Sequence, residues 1–176
     1  MKPTIIKILL CFLSAFSSAA FAASPVFRAE CYVSFSPDGG ATKEIIAQIK
    51  NAQHEILVQA YSFSSYPIAK VLVDAAQRGV KVVLVVDSKQ TSARGNRLDY
   101  VKNGGVEVYL DAQHSIAHNK VIIIDDYWVQ TGSFNFSAAA EVRNAENSLW
   151  CRSVKNDMAE IYRHNFFDHL NHSQPF

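Results

Sequence analysis

His118-Asn119-Lys120-Val121-Ile122-Ile123-Ile124-Asp125-Asp126-Tyr127-Trp128-Val129-Gln130-Thr131-Gly132-Ser133-Phe134-Asn135 reads as two strands joined by a turn. One residue separates His118 from Lys120, and the β-branched run Val121 to Ile124 predicts that both side chains leave a strand on the same face. Asp125 has an odd offset from His118, so a regular strand points it to the opposite face, away from the group that Lys120 touches. Asp126 and Tyr127 turn the chain, and Trp128 to Thr131 predicts a second strand ending at Gly132. Ser133 and Asn135 are again two apart and can face one site. A nucleophile or base, a cation and two neutral hydrogen-bonding groups suit phosphoryl oxygens and fall short of a metal-ligand set. The chemistry this predicts is phosphoryl transfer without a metal. Ser133 and Asn135 also admit a plainer reading, as turn residues closing on Gly132.

His118, Lys120 and Asp125 match the pattern H-x-K-x4-D, and Gly132-Ser133-x-Asn135 follows it. In this the chain resembles the phospholipase D superfamily, and within it the small exported bacterial endonucleases that carry one such motif per chain. Ala60-Tyr61-Ser62-Phe63 before the motif and Asn144-Ala145-Glu146-Asn147 after it extend the resemblance over most of the chain beyond its leader. The resemblance implies that His118 is the nucleophile and forms a phosphohistidine, with Lys120 offsetting the charge that develops on phosphate. No cofactor and no metal are expected, since no ligand set for a required ion is visible in the sequence. The resemblance also makes Asp125 a motif residue, although strand parity favours a structural hydrogen-bonding role for it. Glu146 matches the acid thought to orient the catalytic histidine in the single-motif nucleases, which would fix the ring tautomer. Read alone, Glu146 is an ordinary acid at the end of a strand.

An in-line displacement needs an attacking group on one side of phosphorus and an acid for the leaving oxygen on the other. One His118 cannot occupy both sides, and the chain holds no second H-x-K-x4-D. The expectation is a two-fold homodimer whose two motifs meet at one shared cleft.

With 49% hydrophobic and 19% charged residues, the 176-residue chain has the composition of one globular domain. Met1-Lys2, Lys7, the apolar run Ile8 to Ala22 and the closing Ala20-Phe21-Ala22 fit a cleaved secretory signal over residues 1–22. Residues 23–176 would then form a single phospholipase D-like domain, periplasmic or secreted and without a stable membrane anchor. Removing residues 1–22 takes Lys2 and Lys7 and no acid, so a formal charge of +1 becomes −1. Any nucleic acid must therefore be held by local positive potential. Cys31 and Cys151 remain beyond the leader, and the sequence leaves open whether they pair or stay as two separate buried thiols.

Alternating elements run through the rest. Cys31 to Phe35 predicts a first strand, residues 41–53 a helix and Glu55 to Tyr61 a second strand, a β-α-β opening. Pro67 starts a second helix that Gly79 stops. Val80 to Val86, apolar on both faces, reads as the middle of a parallel sheet. A polar connection from Ser88 to Arg97, a short helix near Leu98 to Lys102 and a strand over Val106 to Leu110 follow. After the motif come a short helix over Ser137 to Val142, a strand over Asn147 to Cys151 and a final helix striped by Met158, Ile161, Tyr162, Phe166 and Leu170. The predicted fold is α/β: a mixed, largely parallel sheet sandwiched between helices.

Lys89, Arg94 and Arg97 are candidates to track a nucleic-acid backbone, as are Arg143 and Arg152, with Tyr61, Phe63 and Phe134 lining the cleft. The plainer reading makes the basic loop solvated and the aromatics core. His114 and His118 are four apart, a metal pair if helical, but the segment lacks helical pattern and a third ligand nearby. His164, His169 and His172 read as a polar helix face and a frayed end, so no metal is expected. The expected activity is that of a nonspecific endonuclease cutting DNA, with RNA as a further candidate substrate. A phospholipid is the alternative because the motif contacts only the phosphodiester that both share. A catalytically idle nucleic-acid-binding protein is a third reading, disfavoured by the full set of motif residues.

Overall fold

The computed structural model describes residues 24–176. The signal-peptide expectation falls on residues 1–22, outside them. In chain order the elements are β1 (Ala29–Ser36), α1 (Ala41–Asn51), β2 (Glu55–Ala60), α2 (Tyr66–Gln77), β3 (Lys81–Asp87), a 3₁₀ turn (Ser88–Ser92), α3 (Leu98–Asn103) and β4 (Glu107–Asp111). Then follow β5 (Lys120–Ile124), β6 (Trp128–Gly132), α4 (Ala138–Val142), β7 (Glu146–Ser153), α5 (Asp157–His172) and β8 (Gln174–Pro175).

Strands that are apolar at every position must be covered on both faces, and that requirement shapes the molecule. Ile56, Val58, Val82, Leu84, Ile122 and Ile124 point to one side of the sheet, where Ile45 and Ile49 of α1, Leu72 of α2 and Val101 of α3 meet them. Leu57, Val83, Val85, Val121 and Ile123 point to the other side and pack under Met158, Ala159 and Phe166 of α5. The α/β sandwich is the predicted one.

The strand order is β1-β7-β6-β5-β2-β3-β4-β8. Parallel pairing is confined to β2-β3-β4, and the other five pairings are antiparallel. The expectation of a largely parallel sheet thus holds only for these three strands, in the half of the sheet nearer β8. The reason is connection length. A parallel return needs a crossover of about a dozen residues or more, whereas residues 112–119 are too few and must start β5 from the edge where β4 ended. That short connection places His118 at the C-terminal edge of the parallel strands.

The β-α-β opening is present in chain order, but β7, β6 and β5 lie between β1 and β2, and β1 is an edge strand antiparallel to β7. The two-residue β8, which carries too little pattern to predict, pairs with β4 on the opposite edge. Cys31 and Cys151 are register partners on β1 and β7 and form a disulfide, with Cα atoms 4.2 Å apart. No helix of the described residues is long and apolar enough to cross a membrane.

Candidate active site

The first strand of the opening stretch begins at Lys120, so His118 and Asn119 sit on the incoming loop rather than in the sheet. The Lys120 ammonium turns back and donates to the His118 carbonyl at 2.6 Å. It also lies 5.2 Å from the centroid of the Tyr61 ring, whose other neighbour is the His118 imidazole at 4.6 Å. Lys120 is buried, and loss of hydration pulls its pKa below the ordinary lysine value, with the charge of Glu146 working in the other direction. Among the described residues no carboxylate forms an ion pair with it. A desolvated cation without a carboxylate partner attracts an anion strongly.

The β5–β6 hairpin brings the rest of the motif to the same edge. Gly132 holds a φ of +143°, and a Cβ there would meet the Asn147 carbonyl oxygen at 2.4 Å, so only glycine lets β6 close on β7 at this point. Ser133 then accepts from both the backbone N–H and the side-chain amide of Asn147, at 3.1 and 3.3 Å. Two accepted bonds occupy the oxygen and leave the hydroxyl proton free to donate outward. The Asn135 amide is not committed to the fold either, since its buried oxygen has no partner among the described residues.

His118, Lys120, Ser133, Asn135 and Glu146 line one cleft of about 550 Å³. Glu146 accepts from the Asn144 side chain at 3.0 Å, and the described hydrogen bonds include none from it to His118. The orienting role implied by the resemblance is therefore not made within one chain. Val121 and Gly132 are the two lining residues without a polar side chain.

The family model described as "Cardiolipin synthase, PLD-like domain" matches residues 45–170. The chain belongs to the phospholipase D superfamily. A phospholipase D of Rickettsia prowazekii is 39% identical over 147 residues, covering 84% of this chain and 71% of the relative. The solved structure of a phospholipase D family member, Nuc from Salmonella typhimurium, aligns with a TM-score of 0.80 at 34% identity, over 85% of this chain and 99% of that one. NucT from Helicobacter pylori, at 23% identity and a TM-score of 0.76 over 85% of this chain and all of that one, bears on the fold alone. Superfamily membership makes the chain a hydrolase of phosphodiester bonds.

The acid of the superfamily motif stands outside the cleft, in the turn beyond the end of β5 opposite Lys120. Asp125 and Asp126 both take left-handed backbone angles in the β5–β6 turn, which suits the twist of an antiparallel pair. From there the Asp125 carboxylate reaches the start of β2 and accepts the N–H groups of Gln53, His54 and Glu55 at 2.8 to 2.9 Å. Burial would raise its pKa, but the amides of Glu55, Gln53 and His54 hold it below the usual carboxylate range. A depressed pKa means its contribution is present above the unfolded value of about 3.9 and is lost as pH falls through the folded one. Asp125→Ala should cost about 1–3 kcal/mol of stability, read as a lower denaturant midpoint. Its kcat, measured below the melting range, should stay within about tenfold of the parent. A far larger kcat loss at unchanged stability would give Asp125 a chemical role.

Other expected contacts fall elsewhere. Lys89 donates its ammonium to the Ser115 carbonyl and so braces the loop that carries His118. Arg97 stacks over Tyr66 at 5.5 Å, and Arg94 is exposed on its loop; none of the three lines the cleft. Arg152 pairs with Glu30 and Arg143 is exposed, while Phe63 and Phe134 are core residues. Of the three aromatics, Tyr61 alone reaches the site.

Gln59, Tyr162 and Asn165 complete the cleft and were not foreseen. Gln59 was visible as the one polar residue inside an otherwise apolar part of β2. Tyr162 and Asn165, three apart on α5, gave no signal. The tail histidines are a correction of another kind: His169 and His172 meet His114 around the Asp111 carboxylate, and only His164 is left as a solvated face.

Proposed function

We propose that the protein is an endonuclease that hydrolyses DNA, and RNA beside it, through a phosphohistidine on His118 and without a metal in the chemical step. The observation that carries this is the set of polar groups in the cleft: its walls offer an imidazole, a buried ammonium without a carboxylate partner and a free hydroxyl proton, and Val121 is the one aliphatic side chain among them. The similarity to Nuc supports the same reading. His118 attacks phosphorus; the ester oxygen leaves with a proton from the His118 of a second copy. That second imidazole then takes a proton from water, which hydrolyses the phosphoenzyme. Lys120 and Asn135 from both chains hold the nonbridging oxygens. The second copy's His118 is the imidazole that Glu146 would orient in this arrangement.

A second reading, a phospholipid hydrolase, draws on one surface. Val33, Leu149 and Thr131 are register neighbours across β1, β7 and β6, and exposed Val33 and Phe35 extend an apolar strip from the cleft wall to the sheet edge. The rickettsial relatives carry the name phospholipase D. Seating of a second copy over the strip would remove it from lipid. Incubating the purified chain with plasmid, and in parallel with labelled phospholipid vesicles, each in excess chelator, separates the readings. Plasmid cleavage with intact phospholipid is expected. Phospholipid hydrolysis with intact plasmid would replace the first reading by the second. Loss of plasmid cleavage in chelator by a chain that stays folded, restored by metal, would contradict the metal-free step.

A further inference from the structure

On the far side of Gln59 and Asn119 from the cleft, the ends of three elements converge. Asp111 closes β4, His114 follows on the loop toward His118, and His169 and His172 lie in the last turn of α5. His114 Nδ1, His169 Nδ1 and His172 Nε2 approach one oxygen, Asp111 Oδ2, at 3.0, 2.8 and 3.2 Å. The four donor atoms all lie within 4.8 Å of one another. We infer that Asp111, His114, His169 and His172 form a binding site for a tetrahedral divalent transition-metal ion, with Zn(II) as its resident.

Charge balance argues for it first. Asp111 and Asp87 are register partners on neighbouring strands, and both are buried. Asp87 spends its carboxylate on the N–H groups of Lys89 and Ala117. Among the described residues neither acid has a lysine or arginine partner. Two buried carboxylates without fixed counter-charge are costly, and a dication beside them supplies what the fold otherwise lacks.

Donor geometry argues for it second. As a hydrogen-bond cluster, three imidazoles would have to crowd onto one carboxylate whose other oxygen, 3.3 Å from His114 Nδ1, already accepts the N–H groups of Gln113 and His114. If instead they were imidazolium ions, their rings, with centroids 4.9 to 5.3 Å apart, would repel. Around a metal, the same nitrogens turn their lone pairs inward. Four ligands at about 2.0–2.1 Å stand about 3.3 Å from each other in a tetrahedron, close to the approaches seen here. The histidine side chains are 42%, 15% and 23% exposed, so they can rotate the remaining distance.

Three imidazoles and one carboxylate suit zinc and exclude the all-oxygen preference of calcium and magnesium. Four protein ligands close the coordination shell, which is the mark of a structural ion rather than a water-activating one. Its place gives it work: it ties the end of α5, which presents Tyr162 and Asn165 to the cleft, to the loop that carries His118. The chemical step on His118 stays free of metal.

The test uses the untagged chain, stripped with chelator and dialysed, then titrated with Zn(II) alone by calorimetry, with metal content measured on the saturated protein. One zinc per chain is expected, with a melting temperature raised by about 5–10 °C at a hundredfold excess over Kd. His114→Ala and His172→Ala, at the two most exposed ligands, should each weaken binding by at least about a hundredfold and abolish the rise. Co(II) in place of Zn(II) should give the intense visible bands of four-coordinate cobalt in the parent and lose them in both variants. His118→Ala should bind zinc as the parent does. Failure of zinc to bind or to raise the melting temperature would overturn the site. So would binding that survives both ligand variants, or that disappears in His118→Ala. None of these readouts depends on the substrate, so the proposed nuclease and the metal site stand or fall separately.

Discussion

His118→Ala is expected to lower kcat for phosphodiester cleavage by at least about 10⁴-fold while leaving the fold in place. The imidazole is exposed and its ring makes none of the described hydrogen bonds; its backbone carbonyl, which holds the Lys120 ammonium, survives the substitution. Stability should therefore change by no more than about 0.5 kcal/mol. Lys120→Met, which removes charge stabilisation but not the nucleophile, should cost less, about 10²- to 10³-fold. The order of these two losses is the informative part. A His118→Ala protein that keeps a tenth of the parental rate would mean that another group attacks phosphorus, and the reading of the cleft would have to be rebuilt around it.

The second large effect concerns stability. Replacing Cys31 and Cys151 together by serine should lower the unfolding free energy by about 3–5 kcal/mol, because the bond closes a loop of 120 residues in the unfolded chain. For a domain of this size that is a fall of about 10 °C or more in melting temperature. The consequence should be graded across the sheet. β1 is an edge strand whose one strand partner is β7, so hydrogen exchange should accelerate there first, while β2 and β3, covered on both faces, should exchange last. A melting temperature within a degree or two of the parent would show that the pairing of β1 and β7 is held by packing alone.

The central strands were legible because their physics is local. An uninterrupted apolar run such as Val82 to Val86 has one stable place, between two layers of helix, and the sheet puts it there. Asp125 was separated from the cleft by position rather than by parity: it lies in the left-handed turn beyond the end of β5 opposite Lys120, and its three amide partners explain why an acid is needed there. Pairing partners were less legible. Nothing near Cys31 announces that its strand adds to β7 rather than to β2, since that choice is made by hairpins formed over a hundred residues later. The histidine cluster failed for the same reason. His114 and His172 are remote in sequence, each looks solvated in its own neighbourhood, and only the docking of α5 on β4 brings them to one carboxylate. The aromatics divided by geometry that spacing cannot supply: Tyr61 reaches His118 past the end of β2, whereas Phe63, two residues on, turns inward to pack in the core.

The claim on which the mechanism rests is that two copies of the chain each give one His118 to a single phosphorus. Subunit mixing tests it most directly. Parent and His118→Ala chains are unfolded together in equal amounts, refolded to randomise pairing, and assayed on plasmid at constant total protein. If both imidazoles are required, only parent–parent pairs cut, and activity falls to about a quarter of the all-parent value. Activity of about half, the amount of parent chain present, would mean that each chain works alone, and would contradict the shared site.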